Sequence, residues 1–273
     1  MSQRSYGDGC GTALALDVVG ERWALHVVRE LVFGPKRFRD LRNALPNASQ
    51  NVLSQRLREL EDEGVVRRVE LGPPVSARAY ELTDSGRALE PVLIELARWG
   101  AGRATLDGAE MSTDAFMLLL KVFYRPPAPE TPALAVRLVV GVDAFEVTAT
   151  PSGVTVVRGG QSEVHATVRA DVRTLRALIF TGLTVAAAAD AGDVQLSGDA
   201  DAAQRFFRLF DKERRPGDVR SSRADAAAGT GRPGPMVHPS RAGRSQQPDR
   251  GGGLRGRAVG GGGDPVDSGA GHP

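Results

Sequence analysis

A short run of polar side chains between residues 50 and 58 has the chemistry needed to read the edge of a nucleic-acid base. Asn51, Gln55 and Arg58 recur at helical spacing, and Ser54 lies at the edge of the same face. Amide, hydroxyl and guanidinium groups can match the donor and acceptor patterns that bases present in the major groove of DNA. A solvated helix face more often carries Glu and Lys. Gln50 lies nearer the other face, but at the helix tip, from which it could still reach DNA.

The residues around this run predict how it is held in place. Leu53, Leu57 and Leu60 fall on the opposite face and predict a buried stripe. Ser49 directly precedes the helix and is a residue type that favours the N-cap position, though its hydroxyl could also contact DNA. Apolar periodicity predicts three preceding helices, over 12–19, 21–32 and 37–45.

A β-hairpin is predicted directly after this polar helix. Strands over 65–71 and 77–82 flank a turn at residues 72–74, and Thr83 is expected to cap a long helix over 84–103. The order helix, helix, turn, helix, hairpin, helix is that of a winged helix-turn-helix, in which the third helix enters the major groove. The basic residues assigned to DNA contacts outside the polar helix are Arg37, Arg68 and Arg78. The alternative is that these arginines belong to a solvated face.

The bulk composition excludes several classes of protein. The formal net charge is only +2, so an argument for nucleic acid rests on where the charges lie. With one cysteine and four scattered histidines, we expect no metal site. No nucleophile–base pair, paired carboxylates or cofactor loop is evident, so we expect no catalytic residue, no cofactor and no enzyme. No apolar run reaches the length of a membrane span, and the first residues lack a signal-peptide core. We therefore expect a cytoplasmic protein that does not contact a membrane.

Composition divides the chain into three parts, predicted as domains over 1–103 and 112–212 and a tail over 213–273. From residue 217 onward the chain holds 15 of its 33 glycines and no Phe, Tyr, Trp or Ile. Such a segment cannot bury enough apolar surface to offset its ordering entropy, so we expect disorder. The tail could add weak, non-specific affinity for DNA, or it could be inert.

Residues from Cys10 to Gly100 resemble the HxlR family of winged-helix regulators. The matching pieces include Leu16-Asp17-Val18-Val19-Gly20, Arg22-Trp23, Gly34-Pro35, Leu53-Ser54-Gln55-Arg56-Leu57-Arg58-Glu59-Leu60, Tyr80-Glu81-Leu82-Thr83 and Trp99-Gly100. The resemblance implies a homodimer that pairs through the helices around 12–19 and 89–99. Twofold symmetry then implies a pseudo-palindromic operator in double-stranded DNA. Gly11 departs from the proline that often follows the cysteine in this family.

Cys10 carries a separate expectation from the same resemblance. In some relatives the cysteine at this position senses oxidants or electrophiles, which requires an exposed thiol of lowered pKa. Cys10 directly precedes a predicted helix, whose N-terminus would favour a thiolate, although Asp8 opposes it slightly. The alternative is a small structural residue at the edge of the dimer.

The region 112–212 resembles a sterol-carrier-protein-like domain. Successive β-rich runs lead into a helix over 172–180 that Asp171 caps, and the region ends on Val194-Gln195-Leu196-Ser197-Gly198-Asp199 and a Phe-rich helix. The chain as a whole is thus expected to be α+β. The resemblance implies a sheet backed by helices with an apolar tunnel for a hydrophobic small molecule, and the alanines over 186–189 could leave room along one wall. A filled core that serves dimerisation is the alternative.

These observations favour a dimeric, sequence-specific DNA-binding transcriptional regulator, with control by a hydrophobic ligand as a further hypothesis. Two alternatives stay open at this point. One is a carrier of lipid or another hydrophobic ligand with a fused module, and the other is a winged helix used only for protein contacts. The polar face over 51–58 speaks against the last of these.

Overall fold

A winged helix-turn-helix and a second, helix-backed sheet make up the described part of the chain, an α+β architecture as the sequence predicts. The structure is a computed structural model that describes residues 5–72, 77–101 and 110–210. The first domain contains α1 (Gly11–Val19), α2 (Ala24–Leu31), α3 (Phe38–Ala44), α4 (Gln50–Asp62), β1 (Val66–Leu71), β2 (Ala77–Leu82), α5 (Asp84–Arg87) and α6 (Glu90–Ala101). The second contains α7 (Thr113–Phe123), β3 (Leu134–Val140), β4 (Asp143–Thr150), β5 (Gly153–Arg158), β6 (Ala166–Arg169), α8 (Val172–Phe180), α9 (Val185–Asp190), β7 (Gln195–Gly198) and α10 (Ala200–Phe207).

The leucine stripe of α4 lies in the core of the first domain. Leu53, Leu57 and Leu60 are all at most 1% exposed, which confirms the predicted inward face. They pack in one apolar cluster with Val27 and Leu41 of the preceding helices. Burial on this side fixes the rotation of α4, so its opposite face must point outward.

The helix predicted over 84–103 is instead two helices, α5 and α6. Thr83 caps the first as expected, since its hydroxyl accepts a hydrogen bond from the Gly86 N–H at 3.1 Å. Pro91 explains the break, because its ring would clash with the carbonyl of the residue four positions earlier in a continuous helix. Gly86 is required for packing: a Cβ atom there would lie 2.2 Å from the Val65 carbonyl oxygen.

The start of α2 and the solvent exposure of α1 and α6 also differ from expectation. Trp23 adopts a left-handed conformation with φ of 78°, so α2 begins at Ala24 and not near residue 21. On α6 only Leu93 is buried. Large apolar side chains of the two helices remain exposed, namely Leu14, Leu16, Val92, Leu96 and Trp99.

The second domain is a five-stranded sheet in the order β5-β4-β3-β6-β7, with helices on one face. The β3–β6 pair is parallel and the other pairs are antiparallel. Phe145 and Val147 of β4 are fully buried and belong to the same apolar cluster as Phe206 and Phe207 of α10. The alanines over 186–189 form most of α9, a helix not predicted, in which Ala188 is fully buried.

The two domains are packed together. Helix α7 lies against α2 and α6 of the first domain as well as against β5 and α8 of the second. Residues 102–109, at the predicted domain boundary, and the predicted tail over 213–273 lie outside the described residues, as does most of the predicted turn at 72–74. Among the helices that the structure describes, none is long and apolar enough to cross a bilayer.

Candidate nucleic-acid interface

The outer face of α4 presents the polar residues singled out from the sequence. Asn51, Gln55 and Arg58 are exposed and Ser54 is half-buried. The Gln55 amide Nε2 donates a hydrogen bond to Glu59 Oε1 at 2.9 Å. In the part of the chain that the structure describes, the side chains of Asn51, Ser54 and Arg58 have no hydrogen-bond partner. Their donors and acceptors are therefore available to an external molecule.

The N-terminus of α4 is held by its cap and by the neighbouring helix. Ser49 Oγ accepts a hydrogen bond from the Val52 N–H at 3.3 Å, so this hydroxyl caps the helix. At the helix tip, Arg42 Nη1 of α3 lies 3.5 Å from Gln50 Oε1, at the limit of hydrogen bonding. This contact places an exposed guanidinium beside the predicted reading face, and the sequence argument did not include Arg42 among its assigned DNA contacts.

Arg37 is engaged with Asp40 at the start of α3. Its Nε lies 2.7 Å from Asp40 Oδ2, and the side chains of both residues are about one-third exposed. The hydrogen bond that the Arg37 guanidinium donates to the Asp40 carboxylate is the main cause that raises the pKa of Arg37 above its ordinary value. Burial alone would raise the pKa of Asp40, but its contacts with Arg37 lower that pKa below the usual range. The Arg37 guanidinium thus already has a carboxylate partner.

The arginines of the hairpin also face carboxylates. Arg68 Nη2 lies 2.9 Å from Glu61 Oε2 at the end of α4, and its guanidinium lies over the Tyr80 ring at 5.8 Å. Arg78 Nε lies 3.4 Å from Glu70 Oε1, but the Arg78 side chain is 86% exposed. Pairs this exposed contribute about 0–1 kcal/mol, so a phosphate can compete for the arginine at little cost.

Sequence reasoning missed Arg56, which the structure buries on the inner side of α4. Its guanidinium pairs with Glu59 on the same helix and lies 3.7 Å from Glu21 before α2. The signal was present, because position 56 follows Leu53 by three residues and therefore falls on the inward face. Because Arg56 is buried, its contribution to the interface is to hold α4 in position.

Cys10 is exposed at the N-cap position of α1. The thiol does not form a side-chain N-cap hydrogen bond with α1. The backbone N–H groups of Ala13 and then Thr12 nevertheless lower the pKa of Cys10 below its ordinary value. Among the described residues, no group of three or more His, Cys, Asp or Glu side chains could hold a metal ion.

The chain is similar to known proteins in both of its domains. Residues 137–217 match the model of the sterol carrier protein domain. The HTH-type transcriptional regulator YybR of Bacillus subtilis is 36% identical over 93 residues, which are 34% of this chain and 74% of YybR. The solved reduced form of the transcriptional regulator YodB from B. subtilis is 31% identical, with 38% of this chain and 100% of that chain covered and a TM-score of 0.32.

The family to which the chain belongs follows from its winged helix-turn-helix domain. Residues 18–106 match the model described as HxlR-like helix-turn-helix. The HTH-type transcriptional regulator YvaP of Bacillus subtilis is 46% identical over 86 residues, which are 31% of this chain and 79% of YvaP. Both YvaP and YybR carry the description of an uncharacterized HTH-type transcriptional regulator. On this match and this extent of identity, the chain belongs to the HxlR-like helix-turn-helix family.

Proposed function

We propose that the chain is a sequence-specific, DNA-binding transcriptional regulator. The observation that carries the proposal is the outward face of α4, where Asn51, Ser54 and Arg58 keep their hydrogen-bonding groups free above a buried leucine stripe. Such a face, on the recognition helix of a winged helix-turn-helix, suits bidentate contacts with base edges in the major groove. The relatives' description as HTH-type transcriptional regulators supports the same function.

The charges around α4 suit contacts with the DNA backbone. Arg42 at the helix tip is exposed, and Arg78 extends from β2 into solvent with only a weak carboxylate partner. Each phosphate that such a residue neutralises releases counterions and makes binding depend on salt. Arg37 and Arg68 are proposed as further backbone contacts, which they can make only by exchanging Asp40 and Glu61 for phosphate.

We further propose that the active form is a homodimer. The apolar side chains that α1 and α6 leave exposed belong to the two helices through which HxlR-family members pair. Contiguous exposed apolar side chains on a folded protein mark interaction surfaces. A twofold dimer presents two copies of α4, so the expected operator is pseudo-palindromic.

A gel shift with the promoter region adjoining the chain's own gene tests the DNA-binding proposal. We expect Gln55→Ala and Arg58→Ala to lower affinity for the specific duplex and leave affinity for random DNA nearly unchanged. A good bidentate base contact contributes about 1–3 kcal/mol of discrimination. We expect Arg78→Ala to weaken specific and random binding alike. If Gln55→Ala and Arg58→Ala both leave sequence preference intact, the assignment of the reading face is wrong.

The match to the sterol carrier protein domain favours a ligand for the second domain. We propose that a hydrophobic small molecule binds there and alters DNA affinity, which requires unequal affinity for the free and DNA-bound states. Isothermal titration of the full chain with fatty acyl compounds, with and without operator DNA, tests both parts. Ligand binding that leaves the affinity for operator DNA unchanged would favour the carrier alternative. Failure of the chain to bind any of these compounds would end the ligand proposal.

A further inference from the structure

A buried chain of charges crosses from the first domain into the second. Lys36 Nζ lies 3.0 Å from Glu30 Oε2 of α2 and 2.5 Å from Asp114 Oδ2 of α7. The other oxygen of Asp114 accepts a hydrogen bond from Arg158 Nη2 of β5 at 2.6 Å. Glu30 and Asp114 are almost completely buried, and the Lys36 side chain is only 12% exposed. The chain Glu30–Lys36–Asp114–Arg158 therefore joins the two domains through their interior.

Glu30 is bound to both domains independently of Lys36. Its Oε1 accepts hydrogen bonds from Ser112 Oγ at 2.6 Å and from Arg29 Nη2 at 2.8 Å. Ser112 also caps α7, because its hydroxyl accepts from the Ala115 N–H. A buried carboxylate with this many donors is held in one place, and so is the first turn of α7.

Lys36 also holds the hairpin and the start of α3. Its backbone N–H donates to the Tyr80 carbonyl at 2.9 Å, and the Tyr80 N–H donates to the Lys36 carbonyl at 2.8 Å. This antiparallel bridge adds a third segment beside β2. The next residue, Arg37, is the N-cap of α3. One residue thus contacts the second domain with its side chain and the wing with its backbone.

Aromatic packing closes the same interface. The rings of Phe33 and Phe145 meet edge to face with 6.0 Å between centroids. Arg158 lies over the Phe145 ring at 4.4 Å, and Lys121 lies over the Phe33 ring at 5.7 Å. Because these contacts surround the ion pairs, a shift of α7 or β5 must move Lys36 as well.

We propose that Lys36 and Asp114 are positioning residues for DNA binding, through which the second domain sets the placement of the wing relative to α4. This inference rests on the proposed DNA-binding function. A buried ion pair gains little net stability over apolar packing, but removal of Asp114 leaves the buried charge of Lys36 with Glu30 as its one remaining carboxylate partner among the described residues. The Lys36 segment then shifts, and the Tyr80 bridge that it carries shifts with it.

The test compares Asp114→Asn with Asp143→Asn in the full chain. Both carboxylates pair with Arg158, but only Asp114 also pairs with Lys36. Simple electrostatics predicts that either variant, by losing a negative charge, binds DNA slightly more tightly. The proposal predicts that Asp114→Asn loses about fivefold or more in affinity for the specific duplex, the scale of allosteric coupling. Asp143→Asn is expected to keep the affinity of the unchanged chain.

A second measurement separates positioning from general damage. We expect Asp114→Asn to speed amide hydrogen exchange in β2, and at Tyr80 in particular, because Lys36 joins Asp114 to Tyr80. A folded Asp114→Asn variant with unchanged β2 exchange and unchanged specific affinity overturns the inference. Equal losses in Asp114→Asn and Asp143→Asn overturn it as well.

Lys36 variants keep the inference testable if Asp114→Asn does not fold. Lys36→Arg preserves the charge and is expected to retain specific binding, whereas Lys36→Met is expected to lose it. Equal specific affinity in both variants would overturn the inference. If the unchanged chain itself shows no preference for any duplex, the proposed function fails, and accelerated β2 exchange in Lys36→Met still reports on the coupling.

Discussion

The exposed leucines of α1 and α6 allow a quantitative prediction about the dimer. Leu14 is 54% exposed and Leu96 is 46% exposed in the single chain. Complete burial of a leucine side chain contributes about 1.5–3 kcal/mol, so burial of the exposed half contributes about 1 kcal/mol. In a twofold dimer each residue occurs twice, which gives about 2 kcal/mol for each substitution to alanine and about 4 kcal/mol for both.

The double variant Leu14→Ala/Leu96→Ala should therefore raise the dimer dissociation constant by about a thousandfold, since about 1.4 kcal/mol corresponds to a factor of ten. Sedimentation velocity over a wide range of protein concentrations measures this constant directly. Each single variant should give about a thirtyfold increase, and the two effects should add if the two side chains lie apart in the interface and share no contact partner.

Val142 provides a matched control for this experiment. It is a fully exposed apolar side chain in the turn between β3 and β4 and belongs to neither α1 nor α6. Val142→Ala should leave the dissociation constant unchanged. An unchanged constant in the double variant, or an equal rise in Val142→Ala, would refute the assignment of the dimer surface.

Three further predictions concern the core, the buried carboxylate and the thiol. Leu57→Ala should lower the free energy of unfolding by about 2–5 kcal/mol, measured by urea denaturation, because Leu57 is buried beneath the reading face; a loss near zero would contradict the core assignment. Burial alone would raise the pKa of Glu30, but Lys36, then Arg29 and the Ser112 hydrogen bond lower it below its ordinary 4.5. Its contribution to stability should thus be present above about pH 4.5 and lost as the pH falls through the lowered pKa, so acid titration of Glu30→Gln should show a shallower loss than the unchanged chain. The rate of Cys10 alkylation by iodoacetamide should rise at a lower pH in the folded chain than in urea, because Ala13 and Thr12 stabilise the thiolate; identical pH profiles would argue for a structural role.

The sequence was most informative where the structure depends on local periodicity and capping. The rotation of α4 follows from Leu53, Leu57 and Leu60, since three large apolar side chains on one face leave little choice about which side is buried. The cap at Asp171 was predicted for the same local reason, and its carboxylate accepts from the Thr174 N–H at 2.7 Å. The bounds of α8 also agree with the helix predicted over 172–180.

Elsewhere a single residue overrode a correct periodic pattern. The apolar stripe over 89–99 is real, but Pro91 divides the predicted helix into α5 and α6. The stripe also has two possible partners, the chain's own core or another copy, and periodicity cannot tell them apart. Only Leu93 faces the core, whereas Val92 and Leu96 face outward.

The charged interface between the domains could not be predicted from local sequence. Glu30 and Lys36 lie far along the chain from Asp114. Each of the three is a charged residue of a type that usually lies on the surface. Their burial depends on the docking of α7 on α2, which no helical or strand period encodes. In the sequence, Lys36 is only one of several basic residues around α3.

This docking bears on the alternatives that the sequence left open. A carrier with an independent winged-helix module would need no buried ion pairs between its parts, because a flexible linker would suffice. Here Phe33 and Phe145 share one apolar cluster, and Lys36 joins that cluster to the wing through Tyr80. Buried charges tolerate only small displacements before they lose their partners. A ligand that moves α7 or β5 must therefore change the surroundings of Lys36, and this contact gives the second domain a physical route to the proposed DNA surface.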